Sequence, residues 1–153
     1  MGLQVFKTEA GFLRAPLTEK TSMQEVFDAV VQRLRDGTGR SFDSPLDSGG
    51  ACVYRDPKGN ACAIGILIPE EKYDSGWEGS TADDVLRGLH LLDFIHSDEP
   101  ETHVGNTLAV LQGIHDDETS WAPDGTFSPQ GERRLKTAAT RYGLVYTAPP
   151  EET

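Results

Sequence analysis

The segment of residues 52–69 limits the fold of this chain more than any other. At its centre, Asp56-Pro57-Lys58-Gly59 is a strong turn signal, because proline presets φ and glycine tolerates a left-handed residue. A short apolar run stands on each side of the turn. The pattern predicts a β-hairpin whose second strand is almost wholly buried and ends at Pro69. No catalytic or cofactor fingerprint lies on this segment.

Length and composition are those of one ordinary globular domain. The chain has 153 residues, of which 37% are hydrophobic and 25% charged, so it can bury a core without disulfides or metals. No run approaches the roughly 18 apolar residues that a membrane span needs. The N-terminal residues lack the apolar core of a signal peptide. We therefore expect a cytoplasmic protein that does not associate with membranes.

The two cysteines, Cys52 and Cys62, flank the predicted turn at comparable distances. They could lie on neighbouring strands, close enough to bond. A reducing cytoplasm favours two free core thiols over a disulfide, and the apolar setting does not favour a nucleophilic cysteine. Two ligands without a Cys-x-x-Cys motif do not make a structural zinc site. We expect neither a metal nor another cofactor.

The acidic charge is unevenly spread and restricts the partners. A net charge of −11 argues against direct binding of nucleic acid. Residues 88–131 contain eight acidic residues and no Lys or Arg, whereas a basic run follows in the last predicted helix: Arg133, Arg134, Lys136 and Arg141. The acidic stretch is either a solvated surface or a surface that meets a basic partner. The residues of such a partner surface are Asp98, Glu99, Glu101 and Trp121.

The first predicted helix has the clearest signals. Ser22 caps it, and Glu25 three residues later completes a capping box. Its apolar stripe consists of Val26, Phe27, Val30, Val31 and Leu34. By their polarity, Gln32, Arg33 and Asp36 are expected to face water.

Three further helices follow. Ser80 or Thr81 caps the second, with Val85, Leu86, Leu89 and Leu92 inward. The third spans about residues 101–115, with Val104, Leu108, Leu111 and Ile114 inward. The fourth opens at Ser128-Pro129, stops at Gly143, and turns Leu135, Ala138, Ala139 and Tyr142 inward.

The organisation is that of an α+β fold, in which a small antiparallel β-hairpin or sheet packs with three to four α-helices. Residues 1–21 form an N-terminal arm or a short strand pair. Residues 22–147 form a single globular domain, in which residues 144–146 are a short strand or a packed tail. Residues 148–153 are a frayed tail.

The sequence His115-Asp116-Asp117 is the first candidate for chemistry. An imidazole beside two carboxylates could bind a divalent metal or support general-base catalysis. Adjacent helical residues point about 100° apart, however, and a histidine at a helix C-terminus also opposes the helix dipole. A catalytic role would need another ligand from residues 90–103. A site of this kind would make the protein a small metal-dependent hydrolase or transferase.

The second candidate is a ligand-binding set of Tyr54, Arg55, Trp77 and Glu78. A buried guanidinium needs an anionic partner, because an unpaired buried charge is costly. Arg55 pairs with a loop acid such as Glu78, or it recognises an anionic ligand beside a stacking face from Tyr54 or Trp77. Trp77 and Trp121 lie in predicted loops, where they serve as lids over the core or as anchors for a partner.

A family resemblance rests on the hairpin above all. The pattern Cys52-x-Tyr54-Arg55-x-Pro57-x-Gly59-x-x-Cys62-Ala63-Ile64-Gly65-x-Leu67-Ile68-Pro69, followed by Tyr73 and Glu78-Gly79, resembles small proteins of tailed phages, prophages and bacteria that have no assigned activity. Leu111-Gln112-x-Ile114-His115-Asp116, Trp121 and the end of the last helix extend the resemblance over residues 22–146. It implies a phage or mobile-element origin, the cytoplasm of a bacterial host, and an accessory role against host machinery.

These observations predict a non-enzymatic, phage-type accessory binding protein. It would engage a host protein with a basic surface, such as a defence protein, or sequester a small anionic ligand such as a nucleotide. A basic pocket within so acidic a chain would favour the nucleotide-binding form. The alternatives are the metal-dependent enzyme centred on His115, Asp116 and Asp117, and a structural domain that forms homo-oligomers through an apolar surface.

Overall fold

The computed structural model describes residues 3–43, 51–56, 58–78, 80–96 and 101–149. Within these ranges the α-helices are Met23–Leu34 (α1), Ala82–Gly88 (α2), Glu101–Asp116 (α3) and Pro129–Tyr142 (α4). The strands are Phe6–Lys7 (β1), Leu13–Arg14 (β2), Thr21–Ser22 (β3), Phe42–Asp43 (β4), Ala51–Cys52 (β5) and Ile95–His96 (β6). The predicted α+β class is confirmed.

The strands form three separate two-stranded pairs in the described part of the chain. β1 pairs with β2 and β4 pairs with β5, both antiparallel. β3 runs parallel to β6, with Thr21 opposite Ile95, although residues 18–21 carry no strand signal in the sequence. The N-terminal arm is part of the same core as the helices, because Leu13, Ala15 and Leu17 are buried within it.

Helix α1 begins where its sequence predicts. The Ser22 hydroxyl accepts a hydrogen bond from the Glu25 amide at 3.1 Å, and the Glu25 carboxylate accepts one from the Ser22 amide, which completes the capping box. The predicted apolar stripe is confirmed, since all five of its residues are buried. One face of α1 therefore packs on the core along its whole length.

The prediction that Arg33 and Asp36 face water is wrong. Arg33 is 0% exposed, and its Nε and Nη2 atoms donate to the carbonyl oxygens of Ala61 (2.5 Å) and Gly39 (2.7 Å). Its Nη1 atom lies 3.3 Å from Asp36 Oδ1, and the Asp36 side chain is also buried. The chain turns back after α1, so backbone carbonyls and one carboxylate surround the guanidinium and offset the cost of its burial.

The turn at the centre of segment 52–69 is confirmed. The Gly59 amide donates to the Asp56 carbonyl at 2.9 Å, and Gly59 has a φ of +97°, which only glycine adopts easily. The Asp56 amide then donates to the Asn60 carbonyl at 2.9 Å, and Arg55 forms a single antiparallel bridge with Ala61.

The predicted second strand of the hairpin is wrong beyond Ala61. Residues 61–68 are fully buried as expected, but the chain winds into a 3₁₀ turn at Gly65–Leu67. A Cβ atom on Gly65 would lie 2.0 Å from the Tyr54 carbonyl oxygen, so the backbone approaches here more closely than a side chain permits. The carbonyls of Ile66 and Leu67 accept hydrogen bonds from Ala15 and Leu17 instead of a neighbouring hairpin strand.

Helices α2 and α4 begin at predicted caps, but their inward stripes are only partly as predicted. Helix α2 ends at Gly88, so Leu89 and Leu92 follow the helix, and Tyr142 of α4 is only half-buried. Thr81 caps α2, Ser128 caps α4 beside Pro129, and Gly143 ends α4 with a φ of +71°. The inward residues of α3 are all buried, as are Leu135, Ala138 and Ala139 of α4. None of the helices in the described ranges is long and apolar enough to cross a membrane.

Within the described residues after α4, up to residue 149, the chain forms a packed tail and no strand. Leu144 and Tyr146 pack against the core. The Val145 amide and carbonyl both bond to the side chain of Gln24 in α1, at 2.8 and 3.0 Å. The tail thereby returns the chain to its first helix.

Candidate ligand-binding site

His115 occupies a buried position at the end of α3, and both of its ring nitrogens are engaged. Nε2 accepts a hydrogen bond from the Ser41 amide at 3.0 Å, while Nδ1 lies 2.8 Å from Asp116 Oδ1. Because Nε2 is an acceptor, the proton is on Nδ1, which donates to the carboxylate. Burial lowers the pKa of His115 and outweighs the opposing effect of Asp116. The imidazole is therefore neutral and joins α3 to the loop before β4.

Asp117 does not converge with its two neighbours. Its Oδ1 atom accepts from the amide and hydroxyl of Thr119 at 2.9 and 2.7 Å, and these bonds lower the pKa of Asp117. Its Oδ2 atom lies 3.3 Å from Arg134 Nη2. Among the residues that the structure describes, no three His, Cys, Asp or Glu side chains could hold a metal ion. His115, Asp116 and Asp117 thus have local structural partners.

The thiol of Cys62 has no features of a nucleophile. It is free and buried, and burial raises its pKa to about 12. Its sulfur accepts a hydrogen bond from the Gly65 amide at 3.2 Å, which supports the 3₁₀ turn. The side chain of Cys52 lies outside the described part of the structure.

The structure brings Tyr54, Arg55 and Glu78 together through the backbone. The Glu78 carboxylate accepts hydrogen bonds from the amides of Tyr54 (2.8 Å) and Arg55 (3.1 Å) and from the Tyr73 hydroxyl (2.6 Å). The Tyr54 ring is buried, and its hydroxyl donates to the Ser80 carbonyl. Burial raises the pKa of Tyr54. Glu78 therefore ties the loop after residue 73 to the first arm of the hairpin.

Arg55 has an acid partner, but the acid is Glu70. Its Nη1 atom lies 2.8 Å from Glu70 Oε1, and its Nη2 atom donates to the Ile68 carbonyl at 2.9 Å. The aromatic face beside the guanidinium belongs to Tyr73, whose ring centre is 4.7 Å away. The Trp77 ring does not lie beside Arg55 but packs against Gly88 of α2. A Cβ atom added to Gly88 would lie 2.3 Å from this ring.

The predicted partner surface is described only in part. Asp98 and Glu99 lie outside the described residues, as does the side chain of Glu101, although Glu101 begins α3. Trp121 is half-buried and packs edge-on against His115 and Phe127. Its indole N–H donates to the His115 carbonyl at 2.8 Å, so this side chain has a structural role at the end of α3.

A groove of about 400 Å³ lies between α3 and α4, and sequence reasoning missed it. We call it the α3–α4 groove. Its apolar lining is provided by Val110, Ile114 and Ala138. Its polar lining is Gln130, Arg133, Arg134, Thr137 and Arg141. The basic run of α4 and its spacing over two helical turns were visible in the sequence, but the packing partner in α3 was not.

The three arginines of the α3–α4 groove differ in how they are held. Arg134 is anchored, since its Nη1 atom donates to Ser120 Oγ at 2.9 Å and Nη2 lies near Asp117. The guanidinium of Arg141 lies 5.5 Å from the Tyr142 ring centre. In the described part of the chain, neither Arg133 nor Arg141 has a carboxylate partner. Two cationic groups at this groove thus have no carboxylate partner among the described residues.

No protein-family model, curated protein or solved structure matches this chain. The resemblance to phage and prophage proteins therefore stays a prediction. We infer function from the contacts and charges of the chain itself.

Proposed function

We propose that this protein is a non-enzymatic binding protein that holds a small organic anion in the α3–α4 groove. A nucleoside monophosphate has the chemistry that fits best. The observation that carries the proposal is a groove with an apolar floor and three arginines in a chain whose net charge is −11. A basic pocket in so acidic a chain supports the nucleotide-binding form, although its residues differ from Tyr54, Arg55 and Trp77.

The floor of the groove suits the apolar part of such a ligand. Val110, Ile114 and Ala138 present aliphatic surface, and the volume of about 400 Å³ is in the range of small-molecule sites. A flat ring system could cover these side chains and displace water from them. Gln130 and Thr137 add hydrogen-bonding groups beside the floor, which would orient the ligand.

The rim of the groove suits a phosphate or carboxylate group. Guanidinium groups bind oxyanions through pairs of parallel N–H donors, and they also stack on flat rings. Arg133 and Arg141 lie two helical turns apart on α4 and have no described carboxylate to compete for them. Arg134, held by Ser120 and Asp117, is a fixed third donor group.

The charge of the whole chain favours a small anion over a nucleic acid. A polyanion would extend beyond the groove, and in the chain as a whole 25 acidic residues outnumber 14 Lys and Arg residues. A mononucleotide would contact the residues of the groove and few others. As a phage-type accessory protein, the chain would act by lowering the free concentration of a nucleotide that host machinery uses.

Isothermal titration calorimetry with adenosine monophosphate and with adenosine tests this proposal. We expect the monophosphate to bind more tightly than the uncharged nucleoside. The double variant Arg133→Gln/Arg141→Gln should lose at least about tenfold in affinity for the monophosphate, because hydrogen bonds to charged groups are removed.

The matched control is Lys7→Gln/Lys58→Gln, which removes the same charge from two exposed positions distant from the groove in the sequence. Its affinity should stay within about twofold of the wild type, since exposed charges are screened. Equal binding of adenosine, an equal loss in the control, or no binding at all would each contradict the proposal.

A further inference from the structure

A second group of cationic side chains lies around the turn of residues 56–59, and none of them lines the α3–α4 groove. Arg14 of β2 and Arg55 have side chains that are only 6% and 9% exposed. Arg14 donates to the carbonyls of Leu13 and Gly59, and Arg55 donates to the carbonyl of Ile68. Backbone oxygens thus hold both guanidinium groups in place and leave some of their N–H groups unused.

One carboxylate lies between these two cations. Glu70 Oε1 is 2.8 Å from Arg55 Nη1 and 3.5 Å from Arg14 Nε, and the Glu70 side chain is 70% exposed. Among the described residues, the buried Nε atoms of Arg14 and Arg55 make no hydrogen bond. Two nearly buried cations therefore share a single, mostly exposed anion.

The charge balance of this pair is incomplete. Burial lowers the pKa of Arg14, and the nearby Arg55 lowers it further, while Glu70 acts in the opposite direction. Arg33 adds another positive charge to the surroundings. A group with more than one negative charge and three or four acceptor oxygens would neutralise the pair better than one carboxylate does.

An incoming anion could displace Glu70 from this position, because it would replace the charge that Glu70 supplies to the two arginines. Glu70 follows Pro69 in a short 3₁₀ turn, and within the described residues its carboxylate makes no hydrogen bond or ion pair other than those with the two arginines. The Tyr73 ring covers another side of Arg55, at 4.7 Å, and is itself held by Glu78. Rotation of the Glu70 side chain into water would open the cations to solvent.

We infer that Arg14 and Arg55 form a second anion site, specific for a tetrahedral oxyanion such as phosphate, which Glu70 fills when no ligand is bound. The site is separate from the α3–α4 groove and does not depend on it. Its ligand is free phosphate or the phosphate group of a larger molecule. Glu70 thereby weakens the binding of any competing anion.

The test compares Glu70→Gln with Glu71→Gln, an equal change at the exposed neighbouring residue. Both are made in the Arg133→Gln/Arg141→Gln background, so that the groove does not contribute. Binding of inorganic phosphate is followed by thermal unfolding and by ³¹P NMR, with chloride at equal ionic strength as reference. We expect Glu70→Gln to bind phosphate at least about tenfold more tightly than Glu71→Gln.

A third variant shows whether phosphate binds to the parallel N–H donors of the Arg55 guanidinium. Arg55→Lys, added to Glu70→Gln, keeps the charge but removes the parallel donors, so phosphate affinity should fall again. If that protein does not fold, the comparison of Glu70→Gln with Glu71→Gln still decides. Equal phosphate affinity in those two variants, or none in either, overturns the inference. Tighter binding of adenosine monophosphate than of phosphate to Glu70→Gln identifies a phosphate ester as the ligand.

Discussion

Two polar regions of this molecule use arginine in opposite ways. In the junction formed by Arg33, Asp36, Ser41, Asn60 and His115, each side chain has buried partners, many of them backbone atoms. In the α3–α4 groove, two of the three arginines have no described carboxylate partner. The difference separates cations that hold the fold from cations that have no described carboxylate partner and that we propose bind a ligand.

The junction also shows why a histidine beside two carboxylates is insufficient for catalysis. The lone pair that would bind a metal or accept a proton, on Nε2 of His115, accepts the Ser41 amide instead. A histidine that lined the α3–α4 groove, with no backbone amide bonded to it, would have been a candidate ligand contact. What decides between the two roles is the set of backbone groups that the fold brings to the side chain.

Replacement of Arg33 is expected to have the largest effect. Arg33→Met leaves the Asp36 carboxylate and the carbonyls of Gly39 and Ala61 without their buried partner, so the free energy of unfolding should fall by about 3–5 kcal/mol. Urea denaturation followed by circular dichroism measures it. The matched change in the groove, Arg133→Met, should stay within about 0.5 kcal/mol. Equal losses in the two variants would refute the comparison.

A second prediction concerns the close backbone approach that replaces the expected strand. Gly65→Ala places a Cβ atom 2.0 Å from the Tyr54 carbonyl oxygen, so the buried turn must shift. The cost should be about 1–3 kcal/mol or more in the free energy of unfolding.

The control for Gly65 is another glycine, Gly113 in α3, where an added Cβ atom meets nothing within 4 Å. Gly113→Ala should stabilise the protein by about 0.5–1 kcal/mol, because alanine favours a helix interior. Thermal or chemical denaturation of both variants measures the change in the free energy of unfolding that each substitution causes. A harmless Gly65→Ala would mean that the segment is not held as described.

The third prediction is a pH effect of His115. Burial lowers its pKa in the folded protein below the ordinary value of 6.5, so the unfolded chain takes up the proton first as the pH falls. Well above pH 6.5, His115 does not make the free energy of unfolding depend on pH. Below pH 6.5, the free energy of unfolding falls as the pH falls, until the pKa of His115 in the folded protein is reached.

The variant His115→Gln isolates this effect, because it keeps an oxygen acceptor for the Ser41 amide and cannot titrate. Relative to the variant, the wild type should lose up to about 1.4 kcal/mol per pH unit below pH 6.5. Urea denaturation at several pH values measures the difference. Parallel pH profiles of the two proteins would show that His115 is not buried as a neutral group.

Local signals in the sequence predicted much of the fold. The caps of α1 and α4 and the buried stripe of α3 need only neighbouring residues, so they could be read directly. Arg33 was misassigned because its charge was weighted above its position. It lies three residues after Val30 and seven after Val26, which is the spacing of the buried face.

The features that could not be predicted depend on distant parts of the chain. A short buried apolar run does not distinguish a strand from a tight turn by periodicity, so residues 61–68 were misread. The Ser41 amide that engages His115 is 74 residues away in sequence. The α3–α4 groove exists only once two helices pack, and it combines an apolar face of one with a basic face of the other.

The most direct measurement is a titration of ¹⁵N-labelled protein with adenosine monophosphate, followed by ¹H–¹⁵N correlation spectra. The account predicts saturable shifts at the amides of Val110, Ile114 and Thr137 and at the Nε–H groups of Arg133 and Arg141, while the buried Nε–H of Arg33 stays unchanged. Unchanged signals throughout α3 and α4 would contradict it.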